Sequence, residues 1–157
     1  MENNKITIYL GFPGIGKTYF CKHNPGWFDF DLESFMESNG TIPQGSSIKI
    51  IEKMIINYTK YGYKIFMSAS ATLFPIFASK KFNFILILPE DTKEMREDII
   101  KRVTKRYSES DNFNELLEKI YDNIYIPIKN MAEYFNFKIV YLKPGEYLQD
   151  IIDNLSC

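Results

Sequence analysis

The chain reads as an α/β fold, with a five-stranded parallel sheet flanked by helices in a single domain of residues 1–157. Three observations carry that reading. Apolar runs and helical patterns alternate from one end to the other, as crossover connections between parallel strands require. A glycine-rich turn sits between the first apolar run and the first helical pattern. The length of 157 residues, 45% hydrophobic and 25% charged, suits one globular core and no disordered region.

The first strand is Lys5–Leu10, which alternates and then ends in Gly11-Phe-Pro-Gly-Ile-Gly-Lys-Thr18, a complete G-x-x-x-x-G-K-[ST] phosphate loop. Tyr19-Phe-Cys-Lys22 follows and can open a helix. Glycines let backbone N–H groups converge on an anion without Cβ clashes. Gly11, Pro13, Gly14, Ile15, Gly16, Lys17 and Thr18 are therefore the candidate nucleotide-binding residues, with Lys17 near the β/γ phosphates and the Thr18 hydroxyl on Mg²⁺. Together, strand, loop and helix predict a P-loop NTPase fold.

Trp27–Asp31 is the second strand, with Phe28 and Phe30 on one face and Asp29 and Asp31 on the other. Lys64–Ser68, Phe82–Leu88 and Phe137–Leu142 are the remaining strands. Helices are expected over Ser46–Tyr61, with Ile48, Ile51, Ile55 and Tyr58 at helical spacing and a stop at Gly62. Ala71–Ser79 is a shorter candidate, interrupted by Pro75. Thr92–Tyr107 and Asn112–Tyr134 are longer, and Pro127 should kink or break the second. Glu146–Leu155 closes the chain. The segment 32–45 holds Gly and Pro and reads as a loop at the top of the second strand.

Ligands of open α/β sheets bind at the carboxyl ends of the strands. There the second strand delivers Asp29 and Asp31, the third Ser68-Ala-Ser70, and the fourth Pro89-Glu90-Asp91. No D-x-x-G after a strand and no N-K-x-D motif is present, which disfavours a switch GTPase. No apolar strand ends in Asp-Glu, which disfavours motor and unfoldase ATPases.

With residues 7–20, the Asp29-x-Asp31 pair and Arg102-Val-Thr-Lys-Arg106 in view, the chain resembles the small P-loop nucleoside and nucleotide monophosphate kinases, the adenylate-kinase-like group. It is most similar to short phage- or prophage-encoded members. The resemblance implies ATP and Mg²⁺, with a nucleotide or nucleoside as acceptor. It makes Lys17, Asp31, Arg102 and Arg106 the candidate catalytic residues, and Thr18 with Asp31 the metal-holding pair. Arg102 also counts as nucleotide-binding. Asp29, Asp31, Ser68, Ser70 and Phe35 are the candidate acceptor contacts, on an acceptor-side segment 32–45, and 92–112 becomes an Arg-bearing lid.

The residues support these roles by their spacing. Arg102 and Arg106 lie four apart on one helix face, flanking an apolar stripe of Met95, Ile99, Ile100 and Val103, with Lys101 and Lys105 opposite. Arg96 projects onto the stripe itself, either as an active-site residue or as a snorkelling one. One departure stands out. Kinases of this group commonly place an arginine after the third strand, whereas Ser68-Ala-Ser-Ala-Thr-Leu-Phe-Pro75 carries no charge and the next basic residue is Lys80. The acceptor is then a nucleoside or another hydroxyl compound. Alternatively the chain is a catalytically weak nucleotide-binding regulator, or a host-directed phage factor. A polynucleotide end kinase is a further alternative, weakened by the net charge of −1, which also argues against an anionic-membrane binder.

Cys21 and Cys157 are far apart, and Met1-Glu-Asn-Asn-Lys5 does not read as a signal peptide. The expectation is an unpaired thiol in a reducing cytoplasm, that of the host if the chain is phage-encoded. His23, beside Asn24-Pro25, reads as a surface residue at a helix end. Exposed aromatics on Asn112–Tyr134 are the candidate homodimer face; a host protein is the other candidate partner.

Overall fold

The computed structural model describes residues 5–12, 14–30, 46–69, 76, 78–104, 115, 119 and 121–155. Five strands among them form one sheet: β1 (Ile6–Gly11), β2 (Trp27–Phe30), β3 (Lys64–Ser68), β4 (Phe82–Pro89) and β5 (Lys138–Leu142). The order across the sheet is β2-β3-β1-β4-β5, and every neighbouring pair is parallel, as the alternation of elements predicts. β1 lies at the centre, with Gly11 level with Ser68 on one side and Ile87 on the other. A parallel strand buried on both faces should be apolar throughout. β4 meets that with Leu86, Ile87 and Leu88 at zero exposure.

Trp27 and Phe28, adjacent on β2, point to opposite faces and show which helix covers each. Trp27 packs against Phe20 of α1 (Lys17–His23), with ring centroids 5.2 Å apart. Phe28 stacks on Tyr58 of α2 (Ser46–Lys60) at 3.8 Å. α1 and α2 therefore lie on opposite sides of the sheet. In α2 the buried Ile48, Ile51 and Ile55 form the expected stripe. The helix stops where expected, in a Schellman turn. Gly62, with φ of 90°, donates to the Thr59 carbonyl and Tyr63 donates to that of Tyr58.

α3 (Lys93–Thr104) begins one residue later than the sequence suggests, because Thr92 is its cap: Thr92 Oγ1 accepts from the Met95 N–H at 3.1 Å. Met95, Ile99 and Ile100 are buried as predicted, while the Val103 side chain lies outside the described residues. The expected helical region Asn112–Tyr134 changes character just before Pro127, as the sequence predicts: among the described residues a π-helical turn, Tyr121–Tyr125, gives way to α4 (Ile126–Tyr134), with Pro127 in its first turn. Proline lacks only an N–H that the first turn leaves unpaired anyway.

α4 ends in a second Schellman turn at Asn136, φ 57°, with Phe137 donating to the Ala132 carbonyl. That bond keeps Phe137 out of β5, so the fifth strand starts at Lys138. Lys143-Pro-Gly-Glu146 is a tight turn with Gly145 at φ 83°, leading into α5 (Leu148–Leu155), two residues shorter at its start than expected. The candidate helix Ala71–Ser79 falls mostly outside the described residues. No described helix is long and apolar enough to cross a membrane.

Candidate functional site

The turn after β1 is shaped by what its residues bury. Phe12 and Ile15 are 1% and 2% exposed, so the two apolar side chains of the loop point into the core. Phe12 N–H donates to the Ile87 carbonyl at 3.2 Å, and Ile15 N–H donates to Phe12 at 3.3 Å. The ring of Phe12 meets that of Tyr125 edge-on at 5.6 Å, and Tyr125 Oη donates to the Pro89 carbonyl at 3.0 Å. The loop is thus anchored on β4 and on the π-helical turn.

Two glycines of the loop need left-handed backbone: Gly14 has φ 87° and Gly16 φ 97°. Gly11 is required for a different reason. A Cβ there would lie 2.7 Å from Phe66 Cε1 and 3.0 Å from Ile15 Cδ1. Gly16 caps α1 without any side chain to bond the first-turn amides. N–H groups of an uncapped first turn, beside a backbone no Cβ obstructs, form the kind of cradle that receives phosphate oxygens. Pro13 lies outside the described residues.

Lys17 opens α1 and its Nζ donates to Asp29 Oδ1 on β2, an ion pair in which both side chains are largely buried. This places Asp29 on the α1 face of the sheet, the face that strand alternation assigns to it. Thr18, the next residue, is exposed. A hydroxyl and a carboxylate are hard oxygen donors, the type Mg²⁺ prefers. Asp31, Phe35, Ser70 and Arg106 are outside the described residues, as is the segment 32–45.

Cys21 sits one helical turn beyond Lys17 and is buried. Burial pushes its thiol up from 9.0 to about 11; the Asp29 carboxylate adds to the rise and the Lys17 ammonium opposes it. The thiol thus lies within the field of the Lys17–Asp29 pair, which sequence spacing alone did not reveal. Tyr125 was missed as well. Its buried, hydrogen-bonded role depends on a tertiary contact that no local pattern announces.

Ser68 is half-buried at the end of β3, level with Gly11, and the Ala69 N–H donates to the Gly11 carbonyl at 2.9 Å. The structure thus brings Ser68 beside the loop. Arg102 Nη2 donates to Asp98 Oδ2 one turn back on α3, at 2.9 Å. Arg96, expected either in the active site or snorkelling, is half-exposed and its Nε donates to Asp91 Oδ1 at 2.7 Å, as a snorkelling side chain would. His23 is exposed at the end of α1 as expected, with Nδ1 2.9 Å from the Tyr19 carbonyl.

No protein-family model and no curated protein matches the sequence. Solved structures do match the fold. Shikimate kinase from Acinetobacter baumannii, in complex with shikimate, superposes with a TM-score of 0.52 at 16% identity, over 98% of this chain and 92% of that one. An uncharacterized protein from Eubacterium ventriosum gives a TM-score of 0.52 at 13% identity, over 98% and 97%. The chain therefore has a P-loop kinase-like fold, a five-stranded parallel sheet with the phosphate loop after its central strand.

Proposed function

We infer that the protein is an ATP-dependent phosphotransferase whose acceptor is a small hydroxyl-bearing molecule, with a nucleoside or nucleotide as the leading class. The observation that supports this most is the loop itself: a G-x-x-x-x-G-K-T turn whose glycines are required by backbone geometry and whose lysine faces Asp29. The shikimate kinase neighbour, by its name a kinase of a hydroxyl-bearing compound, is in line with a hydroxyl as the acceptor group.

In this reading the loop amides and Lys17 hold the triphosphate, and Arg102 and Arg106 close over it. Magnesium, held by Thr18 and Asp31, would neutralise charge on the β and γ phosphates. Asp31 takes the proton of the acceptor hydroxyl while its oxygen bonds to the γ-phosphorus; the bond to the bridging oxygen breaks and ADP leaves. Asp29 pairs with Lys17 until the phosphates arrive. A coupled phosphoryl-transfer assay over nucleosides, nucleoside monophosphates, hydroxy acids such as shikimate, and nucleic-acid ends tests the reading. Transfer to none of them, from a protein that binds ATP, ends the claim.

The pairing of Arg102 with Asp98 favours a second reading, a nucleotide-binding regulator of low turnover. It calls for ATP or ADP binding without transfer, and for a biological effect that survives Asp31→Ala.

A further inference from the structure

The first residues of α1 are divided between two sides of the helix. Lys17 is turned inward, 15% exposed and paired with Asp29 of β2, and Phe20 and Cys21 are buried. At 3.6 residues per turn Tyr19 falls on the side away from Lys17, and it is 71% exposed. A tyrosine left in water forgoes the burial that its large ring offers.

The ring is held nonetheless. The imidazole of His23, one turn further on, lies against it with centroids 4.1 Å apart and planes 31° from parallel. His23 Nδ1 is 2.9 Å from the Tyr19 carbonyl, so the imidazole is tied to the backbone of the residue it packs on. A ring already restrained by a neighbour has less rotamer freedom to lose when a ligand stacks on it.

Position relates this ring to the phosphate loop. The helical ladder of α1 begins with the Phe20 N–H donating to the Gly16 carbonyl at 2.9 Å, so Tyr19 belongs to the same first turn as Lys17 and Thr18. Helical Cα–Cβ bonds tilt toward the amino end, which directs that of Tyr19 to the turn holding the loop. Under the proposed function, Lys17 and Thr18 take the terminal phosphates and Mg²⁺. A nucleotide so placed would pass over the end of a helix about 10 Å wide to reach its outer side, and the group it carries at that far end is the base.

Resting on the phosphotransferase reading, we propose that the Tyr19 ring, backed by His23, is the stacking platform for the base of the donor nucleotide. Stacking engages the π-face that every base presents and not its hydrogen-bonding edge, so Tyr19 strengthens ATP and GTP binding alike.

The test is calorimetry with Mg·ATP, Mg·GTP and Mg·tripolyphosphate, the last supplying the phosphates without a base. The parent protein should bind both nucleotides about tenfold more tightly than tripolyphosphate. Tyr19→Ala should remove that difference for ATP and GTP and leave tripolyphosphate binding as it was, which also shows that the variant keeps an intact loop. Tyr19→Phe should retain the parent affinities, and His23→Ala should lose a smaller part of the nucleotide affinity, again with tripolyphosphate unchanged. Unchanged ATP affinity in Tyr19→Ala or His23→Ala, or a loss shared equally by tripolyphosphate, overturns the proposal and leaves the loop reading standing. Binding of neither nucleotide nor tripolyphosphate by the parent protein ends both.

Discussion

Lys17, the lysine of the phosphate loop, is bonded to Asp29 across the gap between α1 and β2. Under the proposed function, a triphosphate entering the loop would compete with that carboxylate for the same ammonium group. Asp29→Asn should therefore bind ATP several-fold more tightly, about 1 kcal/mol, because the competitor loses its charge. Lys17→Ala should abolish the rise in melting temperature that saturating Mg·ATP produces. Calorimetry and thermal melts on the two variants check both; weaker ATP binding by Asp29→Asn would show that the carboxylate assists the ligand instead.

Gly11→Ala tests the close approach of the loop to the core. Its Cβ would stand 2.7 Å from Phe66 Cε1, and Phe66 is fully buried and has no room to withdraw. Overpacking of this kind costs about 1–3 kcal/mol, seen as a lower denaturation midpoint in urea. Phe66→Leu in the same chain should restore part of the loss, since the clash is with the ring edge.

Tyr125→Phe removes a buried hydroxyl that donates to the Pro89 carbonyl. The orphaned carbonyl makes the change cost about 1–2 kcal/mol, although the ring and its contact with Phe12 are kept. Tyr125→Ala should cost more and also weaken ATP binding, because Phe12 then loses its support.

Cys21 gives a pH-dependent prediction. Its thiol ionises at 9.0 unperturbed and near 11 in the fold, so the folded chain retains the proton more tightly. The stabilisation from this group is fully present below pH 9 and is lost as pH rises through 11. Thiolate absorbance should appear near pH 11 in the native protein, earlier in Asp29→Asn and later in Lys17→Ala. Cys21→Ala should flatten the fall in melting temperature over that window.

Much of the fold was legible because local signals and burial agree. Lys64–Ser68 was placed to the residue, since Gly62 stops the helix before it and apolar residues fill the strand. The interruption at Pro127 was legible too, because a proline fits the first turn of a helix and not its interior; the π-helical turn before it, where Tyr125 reaches Pro89, was not. At the site, the phosphate loop and the face of Asp29 could be read from motif and alternation. The contact between Lys17 and Asp29 could not, because it joins two elements whose packing is tertiary. The pair Asp98–Arg102 is one that i, i+4 spacing on a helix face readily forms.

The central strand has a consequence for how the chain comes together. β1 pairs with β3 and β4 and never with β2, so its partners are made only when synthesis has reached Ser68 and then Pro89. Until then the N-terminal segment has no ladder to join, and a nascent chain halted before Phe82 exposes one whole flank of it to self-association. Ribosome-bound fragments should become protease-resistant abruptly once the fourth strand has left the exit tunnel, not gradually with length.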